Sequence, residues 1–353
     1  MSRKVEPWWR PHRLAARRPN LVLRAAAARA VRTYFEQQDF VEVETPALQI
    51  SPGMEPHLQA FATGMRRPGR PSPDIMYLHS SPEFAMKKLL AAGVPRIFQL
   101  ARTFRNGERS PTHHPEFTML EWYRAGADLD ALMTDCEQML RAAAREAGVS
   151  NLRWGGANAD PEQRFERLSV AAAFARDAGI DILATAPDPA APSLDLLAAA
   201  ARPLGIAPRP GDRWEDLFFR VFLEQIEPKL GIGRPTLLYD YPLGMAALAR
   251  VKAGDPRVAE RFELYVCGLE LANAFGELTD VAEQRRRFER DQALKQSLYG
   301  ERYPIDEDFL AALATMPPAS GIALGFDRLV MLLAGAEHIE DVLWAPVAAP
   351  EGD

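Results

Sequence analysis

The feature that most constrains the fold is a pair of extended segments joined by a long polar loop. Residues 96–104 and 117–123 are rich in aliphatic, aromatic and Thr residues, and the loop between them is rich in Arg, His, Gly and Pro. This pattern predicts a β-hairpin. Further extended segments, together with these two, outnumber the helices that could cross between parallel strands; they lie at residues 40–44, 75–78, 236–239, 261–267 and 321–325. The sequence therefore predicts an α+β domain in which helices flank an antiparallel sheet.

Helical periodicity and capping signals divide the rest of the chain. Pro19 and Asn20 predict a stop followed by a helix start, so residues 1–19 are interpreted as a basic N-terminal arm. Residues 148–230 change in character, are rich in Ala and Pro at their centre, and are interpreted as a helical insertion in one main domain of residues 20–347, with a tail at 348–353. Helices are predicted at residues 21–38, 84–92, 128–146, 281–297 and 327–334.

The charge of the chain is uneven. Residues 1–32 hold nine Lys or Arg and one acid, a net +8, so a total of −6 leaves −14 for the remainder. A basic arm suits an acidic protein or a nucleic acid; a transit peptide is less favoured because the run passes directly into an apparent core helix. The uncharged stretch 309–326 contains two prolines and is not expected to span a membrane. Two cysteines without CxxC spacing fit a reducing cytoplasm.

The loop of the predicted hairpin is the densest candidate for chemistry. Arg105 and Arg109 offer guanidinium groups, the His113–His114 pair adds donors, and Phe117 offers a flat face, which together suit a nucleoside triphosphate. Glu121 and Tyr123 share one face of the returning strand. The alternative is a solvated hairpin whose charges face water.

Two more segments carry candidate site residues. Glu263 and Glu270 flank a turn near Gly268 and suit Mg²⁺, which takes one or two carboxylates plus substrate phosphates. Strict alternation places Glu270 opposite Asn273 and Glu277, so one common site requires a bulge; the alternative is acids on a solvated strand face.

The segment 321–329 is a strand of small residues that runs into a helix. Its glycines allow a ligand close to the backbone, and Arg328 in the first helical turn can meet a phosphate. The alternative is a packed strand with Asp327 and Arg328 paired to each other.

Together these segments resemble the three signature motifs of class II aminoacyl-tRNA synthetases, most closely the lysine group. Residues 39–46 resemble motif 1, residues 104–121 motif 2 and residues 321–328 motif 3. Lysyl-tRNA synthetases carry a separate N-terminal anticodon-binding domain, whereas fewer than twenty residues precede the first predicted helix here. The chain thus most resembles the elongation factor P lysine ligase family, which attaches (R)-β-lysine to a lysine of elongation factor P.

The resemblance implies a two-step reaction that uses ATP and Mg²⁺ and forms an aminoacyl-adenylate. It implies that Arg105 and Arg328 are catalytic. Residues expected to bind ATP are Arg105, Asn106, Gly107, Glu108, His113, His114, Phe117, Glu270, Leu271, Gly325 and Arg328. Residues expected to bind the amino acid are Ser81, Glu83, Glu121, Tyr123, Asn273, Glu277 and Ala323, and the expected metal ligands are Glu263 and Glu270.

Three positions depart from the family pattern. His114 stands where Asn is frequent, Gly107 where Glu is frequent, and Ala274 where Gly is usual, which shifts one expected adenine contact to Glu108 or to the backbone. The resemblance also implies a cytoplasmic enzyme that forms a symmetric homodimer through an apolar stripe in residues 21–43, with elongation factor P as protein partner and tRNA disfavoured. The alternatives are a free-standing enzyme that aminoacylates tRNA or a small acceptor, and a catalytically silent paralogue.

Overall fold

A computed structural model describes residues 6–348, so residues 1–5 and most of the predicted tail, residues 349–353, lie outside it. The α-helices are α1 (Pro11–Gln37), α2 (Glu83–Ala91), α3 (Leu129–Glu146), α4 (Val170–Ala178), α5 (Leu194–Ala201), α6 (Trp214–Val221), α7 (Val281–Tyr299), α8 (Glu307–Leu313) and α9 (Phe326–Ala334). The strands are β1 (Val41–Glu42), β2 (Leu48–Gln49), β3 (Ala62–Met65), β4 (Asp74–Leu78), β5 (Arg96–Phe104), β6 (Glu116–Ala125), β7 (Leu152–Trp154), β8 (Ala157–Ala159), β9 (Glu166–Ser169), β10 (Thr236–Pro242), β11 (Val258–Val266), β12 (Leu269–Gly276) and β13 (Ala319–Gly325).

The main sheet has eight strands in the order β1-β5-β6-β13-β12-β11-β10-β9. Its six central strands, from β5 to β10, pair antiparallel, and only the edge strands β1 and β9 pair parallel to their neighbours. The prediction of an antiparallel sheet flanked by helices is confirmed. Two small sheets, β2-β4-β3 and β7-β8, lie apart from it.

The two faces of the central strands have opposite chemistry because side chains alternate along each strand. One face is apolar and packs against α1, α3 and α9 in the largest core cluster, which includes Leu120, Trp122, Phe262, Ile322 and Leu324. The opposite face carries the polar candidate site residues. At the end of that face Tyr123 joins a second cluster formed with α2, α7 and α8. The fold therefore leaves one open stretch of polar sheet between helices.

The predicted start of the first helix is wrong, because α1 begins at Pro11 and contains Pro19 in its interior. Proline removes one helical hydrogen bond, but contacts on either side of it hold the helix together here. The guanidinium of Arg17 donates to the carbonyl oxygens of Glu340 and Leu343, both at 2.9 Å, and Asn20 donates to the carbonyl of Asp341. The predicted basic arm is thus helical from residue 11 onward.

Most of the apolar stripe of α1 lies inside this chain. Ala27, Val31 and Phe35 are fully buried in the core beneath the sheet, and Leu21 is also buried. Val22 and Val41 are exposed, so only part of the predicted stripe is available to a partner subunit, and the homodimer stays a prediction.

The predicted insertion is only partly helical. Its helices α4, α5 and α6 enclose their own apolar cluster around Phe174, Leu197 and Phe218. The same stretch also contains the β7-β8 hairpin, and β9 extends the main sheet parallel to β10. The uncharged residues 309–326 are divided between α8 and β13. Across residues 6–348, none of the helices has the length and apolar character that crossing a membrane requires.

Candidate active site

A row of paired residues crosses the polar face of the sheet. Gln99 pairs with Glu121, Glu121 with Ala323, Ala323 with Asn273, and Asn273 with Glu263, on five successive strands. Paired residues of neighbouring strands project from the same face. Four of the predicted site residues, which are far apart in sequence, therefore lie side by side.

A β-bulge brings Glu270 to this face. Leu264 pairs with Ala272 but Tyr265 pairs with Glu270, so Leu271 is the extra residue of β12. Leu271 is buried in the apolar core, and Glu270 projects from the same face as Asn273. The turn of the hairpin consists of Cys267 and Gly268, both with positive φ, as a two-residue turn of this kind requires. The predicted turn and bulge are both present.

The two predicted metal ligands differ in their surroundings. Glu263 accepts hydrogen bonds from the hydroxyls of Tyr241 and Tyr265, at 2.5 and 2.6 Å, and from Arg261 at 2.6 Å. The carboxylate of Glu270 has no hydrogen-bond partner within residues 6–348. Burial, followed by repulsion from Glu263, raises the pKa of Glu270 to about 7. Such a carboxylate is stabilised by a cation.

Arg105 has the geometry of a ligand-binding cation. It follows β5, and its guanidinium lies 5.1 Å from the ring centroid of Phe117. Its Nε is buried and, within residues 6–348, makes no hydrogen bond. Burial raises the pKa values of Glu270 and Glu55, and the positive charge of Arg105 opposes both shifts. Arg105 is therefore near enough to act on both carboxylates.

Arg328, in the first turn of α9, closes the hairpin loop. Its guanidinium donates to the carbonyl oxygens of Glu270 at 2.7 Å and Thr112 at 3.3 Å, and to Nε2 of His113 at 2.8 Å. Burial, with the nearby charge of Arg328, lowers the pKa of His113 and keeps its ring neutral. Asp327 instead pairs with Arg24 of α1, so the alternative of an Asp327–Arg328 pair is wrong.

Other residues of the hairpin loop are used in different ways. His114 is buried, its Nδ1 lies 2.6 Å from the carbonyl oxygen of Glu116, and its Nε2 accepts from the amide of Val347 at 3.2 Å. Both ring nitrogens therefore contact backbone atoms, so they are not available to a nucleotide, and we do not include His114 among the nucleotide-binding residues. Arg109 likewise binds Glu340 and the carbonyl of Val347. The exposed Asn106 and Gly107, followed by the half-buried Glu108, form the accessible turn.

The predicted amino-acid pocket is assembled around Glu121. Its two carboxylate oxygens accept hydrogen bonds from Ser81 Oγ at 2.5 Å and from the hydroxyl of Tyr123 at 2.9 Å. Burial, followed by the charge of Glu83, raises the pKa of Glu121 to about 8, so it is mostly protonated at neutral pH. Ser81 Oγ also accepts from the backbone amide of Glu83 and fixes the start of α2.

Lys87 is a pocket residue that the sequence interpretation missed. It is buried, pairs with Glu83 one helical turn earlier, and lies 2.6 Å from Glu277. Burial alone would lower its pKa, but Glu277 and Glu83 raise it, so Lys87 is charged. The i, i+4 spacing of Glu83 and Lys87 was the available sequence signal.

A glycine keeps this pocket open. A side chain at Gly321 would collide with the ring of Tyr123 and the carboxylate of Glu277. Burial raises the pKa of Glu277 to about 7, while Lys87 opposes that shift. Glycine at this position therefore gives the phenol and the carboxylate room to lie against the strand.

The structure thus brings most of the predicted residues to one face, in two adjoining groups. On one side lie Arg105, Phe117, His113, Glu270, Gly325 and Arg328, and on the other lie Ser81, Glu83, Glu121, Tyr123, Asn273, Glu277 and Ala323. Leu271 lies on the opposite, apolar face, and only its backbone is available to a ligand there. In the described part of the chain, no cluster of three or more His, Cys, Asp or Glu forms a ready metal site.

Comparisons with known proteins agree with this arrangement. Residues 9–348 match the family described as tRNA synthetases class II (D, K and N). Proteins of Salmonella dublin and Salmonella heidelberg are 41% identical to this chain over 339 residues, and one of Sodalis glossinidius is 41% identical over 337 residues. Each alignment covers 95% of this chain and 96% of the relative.

All three relatives carry the name elongation factor P--(R)-beta-lysine ligase. The aligned regions include both groups of the site and the sheet that supports them. The resemblance expected from the sequence is therefore confirmed. The chain therefore belongs to the class II (D, K and N) tRNA synthetase family and, within it, to the family of elongation factor P (R)-β-lysine ligases.

Proposed function

We propose that this chain uses ATP to activate (R)-β-lysine, or lysine, as an aminoacyl-adenylate and transfers it to a lysine side chain of elongation factor P. The observation that carries the proposal is the position of Arg105. Within residues 6–348, its guanidinium forms no hydrogen bond or salt bridge, it lies over the ring of Phe117, and its charge acts on both Glu270 and Glu55. A free guanidinium near these carboxylates is suited to a substrate carboxylate and a phosphate. The names of the relatives support elongation factor P as the acceptor.

In the first step, a carboxylate oxygen of the amino acid attacks the α-phosphorus of ATP. The bond between the α-phosphorus and the oxygen that bridges to the β-phosphate breaks, and pyrophosphate leaves. Negative charge grows on the α-phosphate oxygens during this transfer. In this proposal, Arg105 donates hydrogen bonds to the substrate carboxylate and to the α-phosphate, which stabilises the transition state.

The nucleotide is proposed to lie between Phe117 and Arg328. Arg105 lies over one face of Phe117, and the purine is proposed to stack on the other face. Arg328 is fixed by the carbonyl of Glu270 and by the neutral ring of His113, so its guanidinium is held rigidly beside the purine and phosphates. Gly325, just before α9, permits close approach of the nucleotide to the backbone.

Glu270 fits Mg²⁺ better than Glu263 does. Within residues 6–348, the carboxylate of Glu270 accepts no hydrogen bond and its pKa is raised, whereas both oxygens of Glu263 already accept hydrogen bonds. We therefore assign Glu270 as a direct ligand and Glu263 as a second acid that a bound cation would also stabilise. When bound, Mg²⁺ supplies positive charge that offsets the charge of the phosphates.

In the second step, the ε-amine of an elongation factor P lysine attacks the carbonyl carbon of the adenylate. An amide bond forms, AMP leaves, and the amine loses a proton.

A symmetric homodimer in the cytoplasm remains part of the proposal through the family resemblance alone, since most of the apolar stripe of α1 is buried. Light scattering at micromolar concentration is expected to give twice the 39.2 kDa of one chain, and a monomer would contradict it.

The function is tested by ATP–pyrophosphate exchange with a panel of amino acids, followed by the intact mass of co-incubated elongation factor P. We expect exchange with (R)-β-lysine and one added lysyl mass on the acceptor.

Arg105→Ala should abolish exchange without unfolding the chain, because its side chain stabilises transferred charge rather than the core. Arg109→Ala is the matched control, as this arginine of the same loop is engaged by Glu340. Wild-type activity in Arg105→Ala, or charging of tRNA instead, would contradict the proposal.

The metal assignment predicts the behaviour of Glu270→Gln. Removing the charge while keeping the shape should raise the Mg²⁺ concentration needed for half-maximal exchange by about 10-fold or more. The reason is that one interaction with a charged group contributes roughly 1.5–3 kcal/mol to the free energy of binding. Exchange rates measured across a Mg²⁺ titration give this value. Glu289→Gln, on the exposed side of α7, serves as control. An unchanged titration curve would remove Glu270 from the metal site.

Ala323 is expected to set the preference for (R)-β-lysine over L-α-lysine. Its methyl projects from the middle of the row, between Glu121 and Asn273, where it removes space beside the α-amino group. Ala323→Gly should move the ratio of kcat/KM values toward α-lysine by about 10- to 200-fold, the effect of one methyl-sized difference. Ala274→Gly, on the apolar face of β12, is the control. A wild-type preference for α-lysine, or an unmoved ratio, would contradict this role.

A further inference from the structure

Glu55 is an acidic residue outside the sheet that shares a pocket with the amino-acid site. It lies in the loop between β2 and β3, and its side chain is reached by solvent. The pocket that it lines also contains Ser81 and Glu83, together with Gln49, Ser51, Gly53 and Ser80. Glu55 and Glu83 therefore face the same space, although they are 28 residues apart in sequence.

The backbone brings the carboxylate of Glu55 close to the pocket wall. Gly53 has φ of 129°, and a Cβ at this position would lie 2.7 Å from Oε2 of Glu55 and 2.9 Å from Oγ of Ser80. A side chain at residue 53 would thus push the carboxylate away, besides being strained by the positive φ. Glycine lets Glu55 lie against the wall next to the start of α2.

The loop that carries Glu55 is anchored to the end of α7. The ammonium of Lys295 is buried and donates to the carbonyl oxygens of Pro56 at 3.1 Å and Leu58 at 2.7 Å. The amide of Ala60 donates to the hydroxyl of Tyr303 at 2.9 Å. These contacts hold the backbone directly after Glu55 and so position this residue at the edge of the pocket.

The carboxylate of Glu55 forms no salt bridge within residues 6–348, although charged groups surround it. Glu83 and Glu277 both pair with Lys87, Asp291 pairs with Arg290 at 3.1 Å, and Lys295 donates to backbone carbonyls of the loop. The charge of Arg105 acts on the pKa of Glu55, but the two side chains do not form an ion pair. A carboxylate without an ion pair in this pocket is suited to an ammonium group of a diamino acid.

We infer that Glu55 binds one ammonium group of the diamino-acid substrate and is a further specificity-determining residue of this site. The inference rests on the proposed function, because it assigns a role in binding the same substrate. Glu55, from a loop outside the sheet, and Glu83, at the start of α2, line the same pocket, and Lys87 links Glu83 to Glu277. Arg105, on the other side, remains available for the substrate carboxylate.

The test compares wild type with Glu55→Gln, which removes the charge and keeps the shape, in ATP–pyrophosphate exchange. KM for (R)-β-lysine should rise about 10- to 100-fold, as for loss of one charged hydrogen bond, while KM for ATP and kcat stay within a few-fold of wild type. Glu55→Asp should recover part of the loss. Glu289→Gln, an exposed acid on α7, should behave as wild type.

Competitive inhibitors that lack one amine identify the ammonium that Glu55 contacts. The inhibition constants of 6-aminohexanoate and 3-aminohexanoate are measured with wild type and with Glu55→Gln. One of the two should be unaffected by the substitution, and the other should weaken as (R)-β-lysine does. An unchanged KM for (R)-β-lysine in Glu55→Gln, or equal weakening of both inhibitors, overturns the role of Glu55 alone. Absence of exchange with every lysine isomer in wild type overturns the proposed function itself.

Discussion

The site depends on one register shift in β12. In an unbroken strand, Glu270 shares a face with Ala272 and Ala274, which lie in the apolar core against α1, α3 and α9. A carboxylate there would lose several kcal/mol of solvation without a partner. The extra residue Leu271 turns Glu270 to the polar face and fills the core position itself. A single bulge thus preserves the core and completes the acidic end of the row.

The same face concentrates carboxylates, which disfavour one another, and the chain limits this cost in three ways. Glu121 takes up a proton, Lys87 is buried between Glu83 and Glu277, and Glu263 receives three hydrogen bonds. Within residues 6–348, the carboxylates of Glu270 and Glu55 form no salt bridge, although cationic side chains lie near both. In the proposed function, cationic ligands bind at these two places, so ligand binding would relieve a cost that folding leaves in place.

The sequence predicted the hairpin, the turn at Gly268, the bulge requirement and the residues of the row, because alternation of polar and apolar residues decides which face each strand buries. It did not predict contacts made between distant segments. Pro19 lies inside α1 because Arg17 binds the carbonyls of residues 340 and 343. His114 is engaged by the backbone of Val347, and Lys87 meets Glu277 across 190 residues. Such partners have no local pattern in the sequence.

In the proposed function, the row separates two tasks that a small pocket often combines. Its acids would bind ammonium groups by charge, which falls off gradually with distance. Ala323 lies at the middle of the row, where its methyl would act by contact and a displacement of one carbon changes the fit. Ala323 lies in the sheet between Glu121 and Asn273, so its methyl is held in place by the sheet. Affinity for a diamino acid would then come mainly from the carboxylates of the pocket, and the choice between α- and β-lysine from a strand in the middle of the sheet.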